Sequence, residues 1–248
     1  MKAMIFAAGL GTRLKPYTDT MPKALVPVAG SPMIEILIKH LILNGINDII
    51  VNVHHFADQV ISFLNQNNGF GANITISNET GLLLDTGGGL KNASWFFSDN
   101  QPFLVQNVDV VCDINYASFL ETHCKNKAIA TLAVSSRKTS RYFLFDSSMQ
   151  LCGWENTKSQ EIKMARPQTE NLSKFAFSGI QIIEPAIFGY MQQQGKFSII
   201  DSYLEIAATN KIIGFVHNPD YWVDMGKPEE LLKAEKLLAS MRIKNLPV

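Results

Sequence analysis

The sequence predicts an α/β fold with a mixed, mostly parallel sheet flanked by helices. Short apolar β-like runs alternate with longer helical patterns, which is how βαβ units on a parallel sheet read in sequence. A small-residue loop, Ala7-Ala8-Gly9-Leu10-Gly11, directly follows the first apolar run. Asp109 stands just beyond the apolar run Leu104-Val105, at the carboxyl edge where open α/β sheets bind ligands.

Taken in order, Met4–Ala7 is the first strand. Ile34, Leu37, Ile38, Leu41 and Ile42 recur at helical spacing and stop at Asn44-Gly45, before a strand over Asp48–Val53. A helix over Ala57–Asn65 and a strand over Asn73–Ser77 repeat the unit. A polar loop, a helix over Gly88–Phe97, a strand over Pro102–Val105 and an acidic turn over Asn107–Asp113 follow. Beyond Tyr116 the pattern gives a helix to Cys124, a strand over Ala128–Val134 and an antiparallel stretch from Tyr142 through Trp154. A strand over Phe175–Ile183, helices near Pro185–Gln193 and Ile200–Ala208, a strand over Ile212–His217 and a helix over Pro228–Met241 complete it. With 248 residues, 46% of them hydrophobic, and no linker or repeat, the expectation is a single domain over 1–248.

Composition removes several function classes. Lys and Arg total 22 and Asp and Glu total 22, so no global field favours nucleic acid or an anionic membrane. Cys112, Cys124 and Cys152 lack CxxC spacing and read as reduced core thiols, not as a disulfide framework or zinc site. Met1–Leu10 reads as a buried strand and not a signal peptide, and no stretch is apolar enough to span a bilayer. A soluble, cytoplasmic monomer or small homo-oligomer is expected.

The loop after the first strand carries the strongest chemical signal. Small residues let backbone N–H groups approach phosphate oxygens, which nominates Ala8, Gly9, Gly11 and Thr12 as phosphate contacts. Leu14 stands where a dinucleotide fingerprint has its third glycine, and no Gly-Lys-Ser/Thr follows as in a Walker loop. Two cations flank the cradle instead. Arg13 is suited to bidentate contact with phosphates, and Lys23, between prolines, to a point-charge role.

The ordered string Gly9-Leu10-Gly11-Thr12-Arg13-Leu14-Lys15-Pro16-Tyr17-Thr18, continued by Pro22-Lys23-Ala24-Leu25-Val26-Pro27-Val28, resembles the signature of the sugar-1-phosphate nucleotidyltransferases. The resemblance implies a Rossmann-like sheet of the nucleotide-diphospho-sugar transferase type. Residues 1 to about 115 would then form a nucleotide-binding half, and residues from about 116 to 248 a sugar-binding half with a closing helix. It also makes Arg13 and Lys23 the catalytic cations on the triphosphate.

Two further segments extend the resemblance. Glu79 and Asp85-Thr86-Gly87-Gly88-Gly89 are similar to the family's nucleobase loop, with Asp85 in place of a glutamate, so Glu79, Thr86 and Gly87 become base-edge candidates. Tyr221-Trp222-Val223-Asp224-Met225-Gly226-Lys227-Pro228-Glu229 is similar to Trp-x-Asp-x-Gly-x-Pro-Glu. Asp109 and Asp224 are thereby expected to hold Mg²⁺, an ion that takes one or two carboxylates plus phosphate oxygens. Val108 replaces the glycine usual before the first of these. For the sugar and its phosphate the resemblance nominates Asn107, Ser178 and Gly179, with either Lys163 or Arg166 where the family has lysine before proline.

The expected chemistry joins a nucleoside triphosphate to a sugar 1-phosphate with release of pyrophosphate, by positioning and charge stabilisation without a covalent nucleophile. Resemblance to the short, stand-alone members of the family implies N-acetylmuramate 1-phosphate with UTP as the expected substrates, or alternatively a heptose or mannose 1-phosphate. A glycosyltransferase would show an Asp-x-Asp pair, and Asp109 and Asp113 are too far apart for it. A non-catalytic nucleotide-sensing subunit would have lost Lys23, Asp109 or Asp224. His54-His55 is read as structural, because adjacent strand residues face opposite sides. Trp95-Phe96-Phe97 is read as core packing.

Overall fold

The computed structural model describes residues 1–167, 171–218 and 221–243. The chain forms two compact units. The first comprises Met1–Asp85, Val105–Asp113 and the described residues from Tyr221 onward; the second comprises Thr86–Leu104 and the described residues of Ile114–Asp220.

The first unit is parallel at its heart. Strand Ala3–Phe6 pairs in parallel with Asp48–Val53, which pairs in parallel with Asn73–Asn78. Burial follows the alternation of α and β elements: Met4, Ile5, Ile49, Ile50 and Val51 are fully inside, as a strand covered on both faces requires. Helix Met33–Leu43 buries Met33, Ile34, Leu37, Ile38 and Leu41 on one stripe. It ends at Asn44, and Gly45 takes the left-handed turn at φ +74° that the sequence signalled. Val110–Cys112, expected as part of an acidic turn, is instead a short strand antiparallel to Trp222–Asp224.

The second unit is mainly antiparallel. Strand Ser173–Ile183 pairs with Ala130–Ser135 and with Arg141–Phe145, and Leu151–Asn156 lies between Arg141–Phe145 and Glu161–Met164, all antiparallel. Ile212–Val216 adds a parallel partner to Ala130–Ser135. Phe97 stacks on Phe103 at 3.7 Å between ring centroids, and Phe188 lies parallel to both, so this part of the aromatic run is core. Trp95, at the start of that run, is exposed.

Three local expectations are corrected. The helix placed at Gly88–Phe97 begins earlier, at Asp85, and stops at Asn92, with Ser94–Phe97 continuing as a 3-10 turn. The cause is tertiary: the amides of Gly87 and Gly88 donate to the Phe197 carbonyl at 2.9 and 3.3 Å, drawing the glycine run into packing. Pro185–Gly189 is a 3-10 turn shorter than the expected helix. Cys124 is exposed, whereas Cys112 and Cys152 are buried; all three are free thiols.

His123 is fully buried in the second unit, with Nδ1 2.8 Å from the Thr131 hydroxyl and Nε2 3.2 Å from the Glu184 carboxylate. Burial lowers its pKa below the ordinary histidine value, partly offset by Glu184. The unfolded chain therefore takes up this proton more readily than the folded one. The stability linked to neutral His123 is complete above about pH 6.5 and is lost as pH falls through the folded value. Thermal unfolding followed from about pH 7.5 down to about pH 5.5 is expected to show a falling midpoint. His123→Gln should flatten that acid limb while lowering the midpoint at the upper pH.

Candidate active site

Four charged side chains of the first unit meet at one place. Lys23 Nζ donates to Asp109 Oδ2, with both side chains largely buried at 13% and 8% exposure. Arg13 Nη1 donates to Asp224 Oδ2 at 3.4 Å, and the arginine is more than half exposed. Asp109 and Asp224 are close enough to share a hydrogen bond. Burial raises the pKa of Asp109, with the Asp224 charge adding to it and Lys23 opposing. Burial pulls Asp224 upward too, but the Asp109 hydrogen bond, the Gly226 amide and the charges of Arg13 and Lys23 hold it below the ordinary value.

Local structure delivers each group. Gly11, at φ +65°, caps the 3-10 turn Thr12–Leu14 that carries Arg13. A Cβ there would lie 2.7 Å from Thr18 Cγ2 and 2.9 Å from Lys23 Cβ, so only glycine lets the two cation-bearing turns close on each other. The Thr18 hydroxyl fastens this closure by donating to the Gly11 carbonyl at 2.9 Å. Pro22, extended at φ −68°, precedes the turn Lys23–Leu25 and leaves the lysine stem pointing from a fixed backbone. Val108 N donates to the Phe6 carbonyl and Met225 N to the Asp109 carbonyl, joining the two carboxylate-bearing segments to each other and to the first strand.

Among the described residues no group of three or more His, Cys, Asp or Glu side chains forms a metal cluster. The two converging carboxylates are hard oxygen donors, and one of them is buried. That set fits Mg²⁺ only where a phosphate and water complete the coordination, which is the usual manner of magnesium–nucleotide binding. Gly226 matters here beyond the turn read from sequence: a Cβ would stand 2.6 Å from Asp109 Oδ2 and 2.8 Å from both Arg13 Nη2 and Asp224 Oδ1.

The remaining candidates fall into separate settings. Glu79 is buried, with its carboxylate on Asn52 and on the Leu84 amide, and burial raises its pKa against those hydrogen bonds. Ala7 and Ala8 direct their amides to Asn52 Oδ1. Thr86 Oγ1 accepts from the Ile199 amide, and a Cβ on Gly87 would collide with the Phe197 ring. Both residues are therefore engaged by the segment leading into helix Ile199–Ala207, a packing role that the sequence did not reveal. Asn107 is half-buried at the end of strand Phe103–Asn107.

In the second unit, Arg166 donates from Nε to the Ala207 carbonyl at 2.5 Å and from Nη2 to the Asn210 carbonyl at 2.9 Å, capping the end of helix Ile199–Ala207. Lys163 is half exposed and pairs with Asp201 at 3.1 Å and Glu161 at 3.7 Å. Ser178 is buried, its hydroxyl 2.7 Å from His217 Nε2, beside Gly179 at φ +76° in a strand irregularity. His54 Nδ1 lies 2.7 Å from the Glu79 carbonyl, in keeping with a structural role. Sequence reasoning missed Asn52 and His217. A polar residue inside the apolar run Ile49–Val53 was the available signal for the first, and nothing in sequence marks the second.

The Cβ contacts at Gly226 are with the ends of flexible side chains, so Gly226→Ala should fold but displace the charges. Thermal unfolding is expected to move by only a few degrees, at about 1 kcal/mol. Steady-state rates of the reaction catalysed at this site should fall by about a hundredfold, the cost of misplacing reacting groups by roughly an ångström.

Comparison with known proteins agrees with this geometry. Residues 2–241 match the family model described as nucleotidyl transferase. The chain is 30% identical over 243 residues to an N-acetylmuramate α-1-phosphate uridylyltransferase of Caulobacter vibrioides, covering 96% of each. It is 30% identical to a UTP–glucose-1-phosphate uridylyltransferase of Synechocystis and 32% identical to a mannose-1-phosphate guanyltransferase of Yarrowia lipolytica, covering 100% and 99% of this chain. It spans 66% of the length of each of those two proteins. Among solved structures, a UDP-glucose pyrophosphorylase complexed with UDP-glucose superimposes with a TM-score of 0.76 at 18% identity, covering 97% of this chain and 99% of that one. An inositol-1-phosphate CTP transferase from T. maritima gives the same score at 14% identity, covering 97% and 96%. These likenesses identify the fold as that of the nucleotide-diphospho-sugar transferases, and the family match establishes that the chain belongs to the nucleotidyl transferase family.

Proposed function

We propose that the protein is a magnesium-dependent sugar-1-phosphate nucleotidyltransferase, making a nucleotide-sugar and pyrophosphate. The observation that carries this reading is the meeting of Lys23, Asp109, Arg13 and Asp224 around Gly226, in a chain whose relatives carry such activities by name. Mg²⁺ held by Asp109 and Asp224 would supply charge neutralisation on the triphosphate.

The roles of the chain's own residues follow from placement. Lys23, nearly enclosed, offers a desolvated ammonium for the charge that develops at the reacting phosphate, where a fixed charge acts strongly. Arg13, at the exposed edge, suits the departing pyrophosphate, which must leave toward solvent. Gly9, Gly11 and Thr12 supply backbone and hydroxyl donors to phosphate oxygens. The acceptor's own phosphate oxygen attacks the α-phosphorus; the bond to pyrophosphate breaks, and no enzyme nucleophile is needed.

For the acceptor phosphate, Lys163 is favoured over Arg166, whose guanidinium is engaged by helix carbonyls. Asn107, Ser178 and Gly179 are assigned to sugar hydroxyls and Thr86 and Gly87 to shaping the base pocket, in line with the family resemblance. N-acetylmuramate 1-phosphate with UTP is the first choice of substrates, because the Caulobacter relative matches over nearly the whole of both chains. That choice would place the protein in the cytoplasm, in the reuse of cell-wall sugars. Mannose 1-phosphate with GTP is the second choice, favoured by the Yarrowia relative.

Pyrophosphate release measured for the four common nucleoside triphosphates against several sugar 1-phosphates should show turnover that chelation abolishes and Mg²⁺ restores. Release with no pair would return the reading to a nucleotide-sensing protein. With the productive pair, Lys23→Ala and Asp109→Asn should each lower kcat about a hundredfold or more, roughly 2.7 kcal/mol, with folding intact by circular dichroism. Near-normal turnover in both would remove them from the catalytic machinery. Lys163→Ala should raise KM for the sugar 1-phosphate with little change in the unfolding midpoint, whereas Arg166→Ala should lower that midpoint by uncapping the helix.

A further inference from the structure

Strand Asp48–Val53 carries one polar side chain in its buried interior. Asn52, flanked by fully buried Ile50 and Val51 and by Val53, is only 3% exposed. Its carboxamide is used at both ends. Oδ1 accepts from the amides of Ala7 at 2.7 Å and Ala8 at 3.3 Å, and Nδ2 donates to Glu79 Oε1 at 2.7 Å. Glu79 is fixed in turn: Oε2 accepts from the Leu84 amide at 3.2 Å, and its carbonyl meets His54 Nδ1.

The amides of Ala7 and Ala8 therefore point into the protein, at the start of the glycine loop. Among the described residues no acceptor takes up the amides of Gly9, Leu10 and Gly11. Successive unbonded N–H groups on a small-residue loop form an anion cradle.

We propose that Asn52 is a positioning residue for nucleotide binding: by holding the first two loop amides inward, it presents the next three to the phosphates. The proposal rests on the reading of this site as one for a nucleoside triphosphate. It gives Glu79, expected from resemblance at the base edge, a function exerted through Asn52. Only a carboxamide does both jobs in place, since the loop demands an acceptor and Glu79 demands a donor. A carboxylate would oppose Glu79, and an aliphatic side chain would leave buried N–H groups unsatisfied.

The test uses the full chain and two readouts. Amide hydrogen exchange at Ala7 and Ala8 should accelerate about tenfold or more in Asn52→Ala, and the triphosphate KM should rise about tenfold while kcat and the sugar 1-phosphate KM change less than about threefold. Glu79→Ala should reproduce this pattern. Glu79→Gln, which keeps an oxygen for Asn52 Nδ2, should restore triphosphate affinity to near wild type. If Asn52→Ala unfolds, Asn52→Ser, smaller but still polar, is read in the same assays against the same expectations. Faster exchange with an unchanged triphosphate KM would overturn the positioning role, as would unchanged exchange at Ala7 and Ala8. A wild-type protein that binds none of the four triphosphates in calorimetry would instead remove the nucleotide reading, and the positioning role with it.

Discussion

Everything at the candidate site depends on opposite charges brought together where the chain has no Cβ. Arg13 and Asp224 are 211 residues apart, and Lys23 and Asp109 are 86 apart, yet the four side chains share one small volume around Gly226. A buried carboxylate beside another carboxylate is unfavourable by itself, because desolvation and repulsion both oppose ionisation. The lysine and arginine offset that cost, and the backbone bonds of Val108 to Phe6 and Met225 to Asp109 keep the partners from separating. The first unit is thus organised so that the end of its first strand, its glycine turn and the start of its last described helix lie near one charge cluster.

Much of this was legible in sequence because the chemistry demands rare residue types in fixed order. Gly11 was legible as part of a small-residue loop in a fixed motif, and the structure adds the reason that its φ of +65° and the closeness of Thr18 and Lys23 leave no room for a side chain. The first two parallel strands of the first unit were legible from their apolar runs, Met4–Ala7 and Ile49–Val51, as two-sided burial requires. What sequence could not show were relations set by distant packing. The helix Asp85–Asn92 starts ahead of the glycine run, where Phe197, more than a hundred residues later, accepts the amides of Gly87 and Gly88. Asn52 passed unnoticed in sequence, since its partners Ala7 and Glu79 lie 45 and 27 residues away. Cys124 was expected in the core on its residue type alone, and lies on the outer face of its helix instead.

In the second unit a cation expected at the ligand is used for packing. The family resemblance places a cation before Pro167, and Arg166 fills that place. Its planar guanidinium reaches two carbonyls at and beyond the end of helix Ile199–Ala207 at once, which the point charge of a lysine is less suited to do. The side chain is thereby part of the framework of the second unit. Ser178 and His217 are similarly tied to each other at 2.7 Å, which fixes the hydroxyl within the unit.

The cancellation of charge in the cluster also bears on how fast a ligand is caught. Two cations face two carboxylates, and the whole chain balances 22 basic against 22 acidic residues. An incoming anion therefore meets almost no long-range attraction, and its approach is governed by ordinary diffusion and by fit. Encounter rates at such a site depend weakly on ionic strength, unlike those of proteins with a strongly charged cleft. On the proposed reading, attraction would arise only at contact, when the ligand and its counter-ion replace the internal partners of Lys23 and Arg13, and selectivity would be exercised in the residence time of the complex and not in its rate of formation.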